Sequence, residues 1–213
     1  MNTLLLIVII VTCLISYYGL QNFSVFEKYK FNVAAVNSKK EYLRLLSAGF
    51  LHADFMHLAM NMLTLYFFAP IVIMVFGELN FILIYLGSIL FGNLFTLFYY
   101  KNKPWYSAIG ASGGVAGILF AAVAIDPVEI SVNFIPGFIF GALYFGYSVY
   151  QMMNPNVQDN IGHAAHLGGA FFGLVYVLIL APVLIVEHSW QLGVMALPLF
   201  YLAYQIFVNK KIG

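Results

Sequence analysis

Charged side chains are so unevenly placed in this 213-residue chain that they leave seven long uncharged stretches between them. These run Met1–Phe26, Phe55–Gly77, Leu79–Tyr100, Pro104–Ile125, Ile130–Gln158, Asn160–Val186 and His188–Asn209. A helix needs roughly 20 apolar residues to cross a bilayer, and its backbone polar groups must be satisfied internally. Each stretch is long enough. Barrel strands of about 9–11 residues with period-2 alternation do not fit runs of this length. Composition agrees: 8% of residues are charged and 63% hydrophobic, whereas soluble domains carry about 25% charge. The chain therefore reads as an all-α polytopic membrane protein of seven spanning helices, with no soluble domain at either end. Met1–Phe26 has no Lys or Arg before its apolar run and no small-x-small site after it. It reads as the first spanning helix, not a signal peptide. Cys13 is the only cysteine, which rules out an intrachain disulfide and says nothing of compartment.

The longest connection, about Gln21 to Asp54, mixes Glu27, Lys28, Lys30, Lys39, Lys40, Glu41, Arg44 and Asp54 with many aromatic and aliphatic residues. A disordered linker would be less apolar. The mixture predicts a structured element at the membrane interface, rings inward and charges outward. The remaining connections are expected to be short, at Gly77–Asn80, Lys101–Ser107, Asp126–Glu129, Asn154–Asn160 and Glu187–His188. Trp105 and Trp190, near helix ends, read as interface anchors.

Polar groups within the apolar runs are few, and hydrocarbon gives them no water, so each is a functional candidate. His57 and Asn61 are four apart and share a helix face. Ser112 sits in Gly110-Ala111-Ser112-Gly113-Gly114 at the start of the fourth helix. His163 and His166 open the sixth. If the chain alternates across the membrane, three helices place these groups at one depth, on the side of the long connection. A serine hydroxyl needs a base, and histidine is the usual one; His166 or His163 could serve Ser112. The amide of Asn61, the imidazole of His57 and the backbone N–H of Ser112 are suitable donors for an oxyanion. No acidic residue lies inside the apolar part of these helices, so a Ser–His dyad is the economical reading.

Gly113 and Gly117 are four apart, as are Gly169 and Gly173, and the second pair continues the His166 face. Small-x-x-x-small spacing lets two membrane helices approach closely, which would bring Ser112 and His166 within reach. Gly137 and Gly141 predict another close contact in the fifth helix. Blander readings compete. A membrane serine can simply bond back to its own helix, His52 reads as structural in the loop, and the four histidines His52, His57, His163 and His166 could hold haem or a metal. That last reading lacks the Cys or carboxylate partners common at metal sites and leaves the glycine-framed serine unexplained. A soluble G-x-S-x-G elbow is excluded, because it needs a strand before the serine.

His57-x-x-x-Asn61, Gly110-Ala111-Ser112-Gly113 and Ala165-His166-Leu167-Gly168-Gly169 with Gly173 together resemble the rhomboid intramembrane serine proteases. Glu41-x-x-Arg44-Leu45-Leu46 and Phe50-Leu51-His52 are similar to the family's first-loop signature, and the loop's overall flavour is like that of rhomboids from Bacteroidetes bacteria. The resemblance covers residues 1–183 as a six-helix catalytic core; residues 184–213 would be an additional C-terminal helix and tail. It implies Ser112 as nucleophile and His166 as general base, with His57, Asn61 and the Ser112 N–H stabilising the oxyanion. It implies close packing at Gly110, Gly113, Gly117, Gly169 and Gly173, and structural roles for Glu41, Arg44, His52 and His163. It further implies transmembrane protein substrates cut within a lipid bilayer, no metal or organic cofactor and no nucleic-acid partner; oligomeric state stays open. A catalytically inactive, client-binding member of the same family is the alternative. Two departures stand out. The family carries an aromatic residue four places after the serine, packed under the histidine, where this chain has Ala116. All nine Lys and Arg (Lys28, Lys30, Lys39, Lys40, Arg44, Lys101, Lys103, Lys210, Lys211) fall on the active-site side, opposite Glu78, Asp126, Glu129 and Glu187. The positive-inside rule makes that side cytoplasmic; the family, expected here in a bacterial inner membrane, opens it to the extracytoplasmic side.

Overall fold

Asn2, through its side-chain oxygen, caps the first helix by accepting the Leu5 N–H, and the apolar run that follows is helical from Thr3 to Gln21 (α1). The computed structural model describes residues 2–154 and 161–210; the expected connection from 154 to 160 lies mostly outside them, as does Lys211. The first connection folds as anticipated for a structured element. It contains α2 (Phe23–Tyr29), the two-residue strand β1 (Phe31–Asn32), α3 (Val33–Lys39), α4 (Arg44–Ser47) and a 3-10 turn at Ala48–Phe50. Phe31 is fully buried while Phe23, Tyr42 and Leu43 are exposed.

Asp54 caps α5 (Phe55–Tyr99) by accepting the His57 N–H. Forty-five residues would run about 67 Å if straight, twice a hydrocarbon core of about 30 Å. They do not run straight. Gly77 breaks the helical backbone with φ 81° and ψ 170°, values open to glycine and costly to other residues. The two halves of α5 supply the second and third spans expected from the sequence. Their far ends meet the same loops: His57 lies beside Gly110, and Tyr100 stacks on Tyr106 just before β2 (Ser107–Ala108), which pairs with β1.

The fourth span is α6 (Ser112–Ile125), buried at every position from Gly113 to Ala124. Around it stand α5 and α8 (His163–Leu180), which with it form the tight centre of the molecule. The fifth span, α7 (Gly137–Met153), packs chiefly on α10 (Ser189–Phe207) and less on α8 and α6. A short helix, α9 (Val183–Glu187), joins α8 to α10. The chain is an all-α polytopic membrane protein; α1, α5, α8 and α10 each have the length and apolar composition to cross a bilayer.

The start of the fifth helix differs from the sequence reading. The fifth helix begins at Gly137 rather than Ile130, because residues 131–136 form a hairpin of β3 (Ser131–Val132) and β4 (Ile135–Pro136). Asn133 and Phe134 turn it with φ of 51° and 65°, the two positive values that a type I′ turn requires. The fourth helix begins at Ser112, as the sequence reading expected, and Ser107–Ala108 before it are committed to the ladder with β1. Two-residue ladders carry too little pattern to be read from sequence.

Candidate active site

Ser112 is the first residue of α6, and its position is fixed by the turn before it. Gly110 has φ 119°, in the region that disfavours any side chain. Its N–H donates to the Ala48 carbonyl at 3.0 Å, tying the turn to the first loop. A Cβ built on Gly110 would lie 2.8 Å from His57 Cε1, 2.9 Å from His57 Nε2 and 3.4 Å from Ser112 Oγ. The imidazole of His57 therefore rests against the backbone directly beside the serine. Glycine here is required twice, by dihedral and by space.

His166 reaches Ser112 from α8: its Nε2 is 2.5 Å from Ser112 Oγ. The distance follows from the helix seam. A Cβ on Gly169 would collide with the Gly113 carbonyl, and one on Gly173 with the Gly117 carbonyl. Gly117 is closed in by Ser88 Oγ and the Gly169 carbonyl, and Gly113 by the Ala165 carbonyl. The four small residues bring the backbones of α6 and α8 into contact, so residues one turn nearer the loop meet through their side chains. Gly141 makes a further close approach, to Met195 of α10 and Phe120 of α6.

Asn61 is placed less simply. It is buried, one turn along α5 from His57, and its amide donates to the His57 carbonyl at 2.9 Å rather than to Ser112. An amide nitrogen carries two hydrogens, so one N–H is committed to the helix and one is not. His163 is buried on α8 with its ring edge-on to Tyr147 at 5.5 Å; the contact with Ser112 belongs to His166.

One contributor is larger than the sequence reading made it, and one escaped that reading. Fully buried His52 does more than shape the loop. The Ala111 N–H donates to its Nε2 at 3.2 Å, which puts the ring proton on Nδ1. Nδ1 then donates to Ser16 Oγ at 2.6 Å, and the Ser16 hydroxyl donates to the Phe50 carbonyl at 2.9 Å. One neutral imidazole thus links α1, the first loop and the turn before Ser112. Burial, with His57 nearby and against the opposing pull of Asp54, lowers His52 to about 3 from the ordinary 6.5. The second contributor is Tyr144 of α7, whose ring lies 6.4 Å from that of His166 at 21°. A lone tyrosine among fifteen carries no local signal.

Arg44 anchors the loop that holds this arrangement. Its Nε donates to Glu41 at 2.6 Å, and its Nη1 donates to the Glu27 and Lys30 carbonyls at 2.8 and 2.7 Å. These carbonyls close the C-terminal end of α2, where a cation is favoured. Ser47 Oγ donates to the Tyr29 carbonyl, and Asn93 of α5 to the Leu45 carbonyl. Trp105 is exposed, and Trp190 is exposed with its ring against Phe138.

Depth follows from length. Fourteen residues of α6 rise about 21 Å, short of a hydrocarbon core of about 30 Å. With its Asp126 end at one surface, α6 leaves Ser112 below the other. The arrangement is a hydroxyl, a hydrogen-bonded imidazole and a second imidazole beside them, recessed in apolar surroundings, which is the chemistry of nucleophile, base and polar donor.

Comparison with known proteins agrees with the motifs. The Rhomboid domain matches residues 39–183. The chain is 30% identical over 146 residues to "Putative rhomboid protease YdcA" of Bacillus subtilis, covering 68% of this chain and 69% of that protein. It is 29% identical over 140 residues to "Rhomboid protein 1, mitochondrial" of Saccharomyces cerevisiae, covering 63% and 40%. To "Presenilin-associated rhomboid-like protein, mitochondrial" of Homo sapiens it is 29% identical over 144 residues, covering 62% and 36%. The chain thus spans well under half of the two mitochondrial relatives. With the domain match covering most of the chain and the serine and histidine motifs inside it, this integral membrane protein belongs to the rhomboid family.

Proposed function

We propose that the protein is an intramembrane serine endopeptidase that cuts transmembrane segments of other membrane proteins. The observation that carries this reading is the 2.5 Å approach of His166 Nε2 to Ser112 Oγ at the start of a buried helix. His166 takes the Ser112 proton as Oγ attacks the scissile carbonyl, and the tetrahedral oxyanion is met by the Ser112 N–H, His57 and the second N–H of Asn61. His166 then gives its proton to the leaving amine, leaving an acyl-Ser112 ester. Water, deprotonated by His166, releases the second product. Residues 1–183 form the catalytic core and residues 184–213 an added helix and tail. The site opens to the extracytoplasmic side of a bacterial inner membrane.

Detergent-purified protein is incubated with a model transmembrane substrate beside Ser112→Ala and His166→Ala. Cleavage by wild type and loss in both variants is expected, together with fluorophosphonate labelling of wild type that Ser112→Ala lacks. Absent cleavage by wild type, or undiminished cleavage by Ser112→Ala, overturns the proposal.

A further inference from the structure

The aromatic side chains where α6 meets α7 form a packed series that ends on His166. Phe145 stacks on Phe120 at 4.5 Å and 19°, Phe120 meets Tyr144 at 5.3 Å, and Tyr144 lies nearly parallel to the His166 imidazole at 6.4 Å. Offset-stacked rings pair over about 4.5–7 Å between centroids, so the last contact belongs with the others. Phe140, one turn along α7, holds Tyr144 from its own helix at 5.8 Å. On α6, the residue one turn beyond Ser112 is Ala116, which offers only a methyl group to this region. The ring that faces His166 comes from a different helix.

We propose that Tyr144 is a positioning residue for His166, holding the imidazole plane so that Nε2 stays aimed at Ser112 Oγ. The inference rests on the reading of His166 as general base. A base must keep hydrogen-bond reach of the proton it takes. Contact across the ring face restricts the tilt of the imidazole plane, beside the edge-on contact that His163 makes with the same ring at 6.4 Å. Tyr144 also rides on α7, which packs chiefly against α10 through Gly141 on Met195 and Phe138 on Trp190. The orientation of the base is tied in this way to the α7–α10 pair, outside the tight centre of α5, α6 and α8.

The test measures kcat and KM on a transmembrane substrate, with thermal melts alongside, for wild type, Tyr144→Phe, Tyr144→Leu and Phe145→Leu. Phe145 is a buried member of the same series that does not touch His166, so it reports what general loosening does. A ring misplaced by about 1 Å can cost about 100-fold. Tyr144→Leu is expected to lower kcat by about 10–100-fold with KM changed less than about threefold, while Tyr144→Phe stays within about threefold of wild type. Phe145→Leu should melt earlier and keep its kcat. The inference is overturned if Tyr144→Leu keeps wild-type kcat, or if Tyr144→Phe or Phe145→Leu falls as far as Tyr144→Leu. Should Tyr144→Leu give no folded melt, Tyr144→Met replaces it under the same criteria. No cleavage by wild type would overturn the Ser–His reading itself, a result separable from any of these.

Discussion

At the scale of single residues, His52 shows how much one buried imidazole can organise. Its two nitrogens satisfy Ala111 and Ser16, and His52→Ala leaves both groups without that partner. Each unsatisfied buried group costs about 1–3 kcal/mol, so the variant should melt several degrees lower and cleave more slowly, because Ala111 immediately precedes Ser112, the proposed nucleophile. The same residue sets a pH dependence. Folded His52 titrates at about 3 and an unfolded histidine at about 6.5. Below pH 6.5 the unfolded chain binds a proton that the folded one does not. Stability present above 6.5 is therefore lost as pH falls towards 3, by up to about 1.4 kcal/mol per unit. Melts in detergent at pH 7.5, 6 and 4.5 should show this slope, and His52→Gln should flatten it. An unchanged slope in His52→Gln would assign it to other groups. Gly110→Ala meets both a positive φ and the His57 ring, and should abolish cleavage in the substrate assay while the protein still extracts as a folded species.

Among the elements, the α6–α8 seam decides the distance between Ser112 and His166. Four glycines let the two backbones touch, with the carbonyls of Gly113 and Gly117 where side chains on Gly169 and Gly173 would be. Even a methyl group there must push the helices apart, since carbonyl oxygens cannot rotate away as a side chain can. Overpacking of this kind costs about 1–3 kcal/mol, and here it also lengthens the Ser112–His166 contact. Gly169→Ala is expected to lower the melting temperature and to reduce kcat by about 10-fold or more. Gly193, with open space around its Cβ position, is the control: Gly193→Ala should leave both unchanged. Equal effects at the two positions would mean that the seam has no special role.

For the whole molecule, the charge-free runs made the spans legible, because hydrocarbon tolerates little but apolar helix. Ser112, His57 and His166 were legible because polar groups are so rare in those runs. His52 was legible only as a structural residue of the loop, because the bonds that tie it to the site span 36 and 59 residues, and Tyr144, which meets a residue on a neighbouring helix, leaves no local pattern. The hairpin before α7 was hidden for another reason, since its apolar residues continue the run that follows. Orientation is the remaining whole-molecule question, and the fold bears on how the charges should be counted. The lysines and arginine of the first loop are not a free cytoplasmic tail. Lys30 pairs with Glu27 and Arg44 with Glu41, while Lys28, Lys101 and Lys103 lie over the rings of Tyr29, Phe98 and Tyr100. The positive-inside rule counts Lys and Arg in short loops, and it loses force where the loop is a folded unit. The proposed extracytoplasmic site then predicts a simple labelling pattern. Ser107 lies on the site side and Glu129 on the other, and both are exposed. In a Cys13→Ala background, Ser107→Cys should react with a membrane-impermeant maleimide on intact cells, and Glu129→Cys only after the membrane is opened. The reverse pattern would place the nucleophile on the cytoplasmic side and restore the charge count as the better guide.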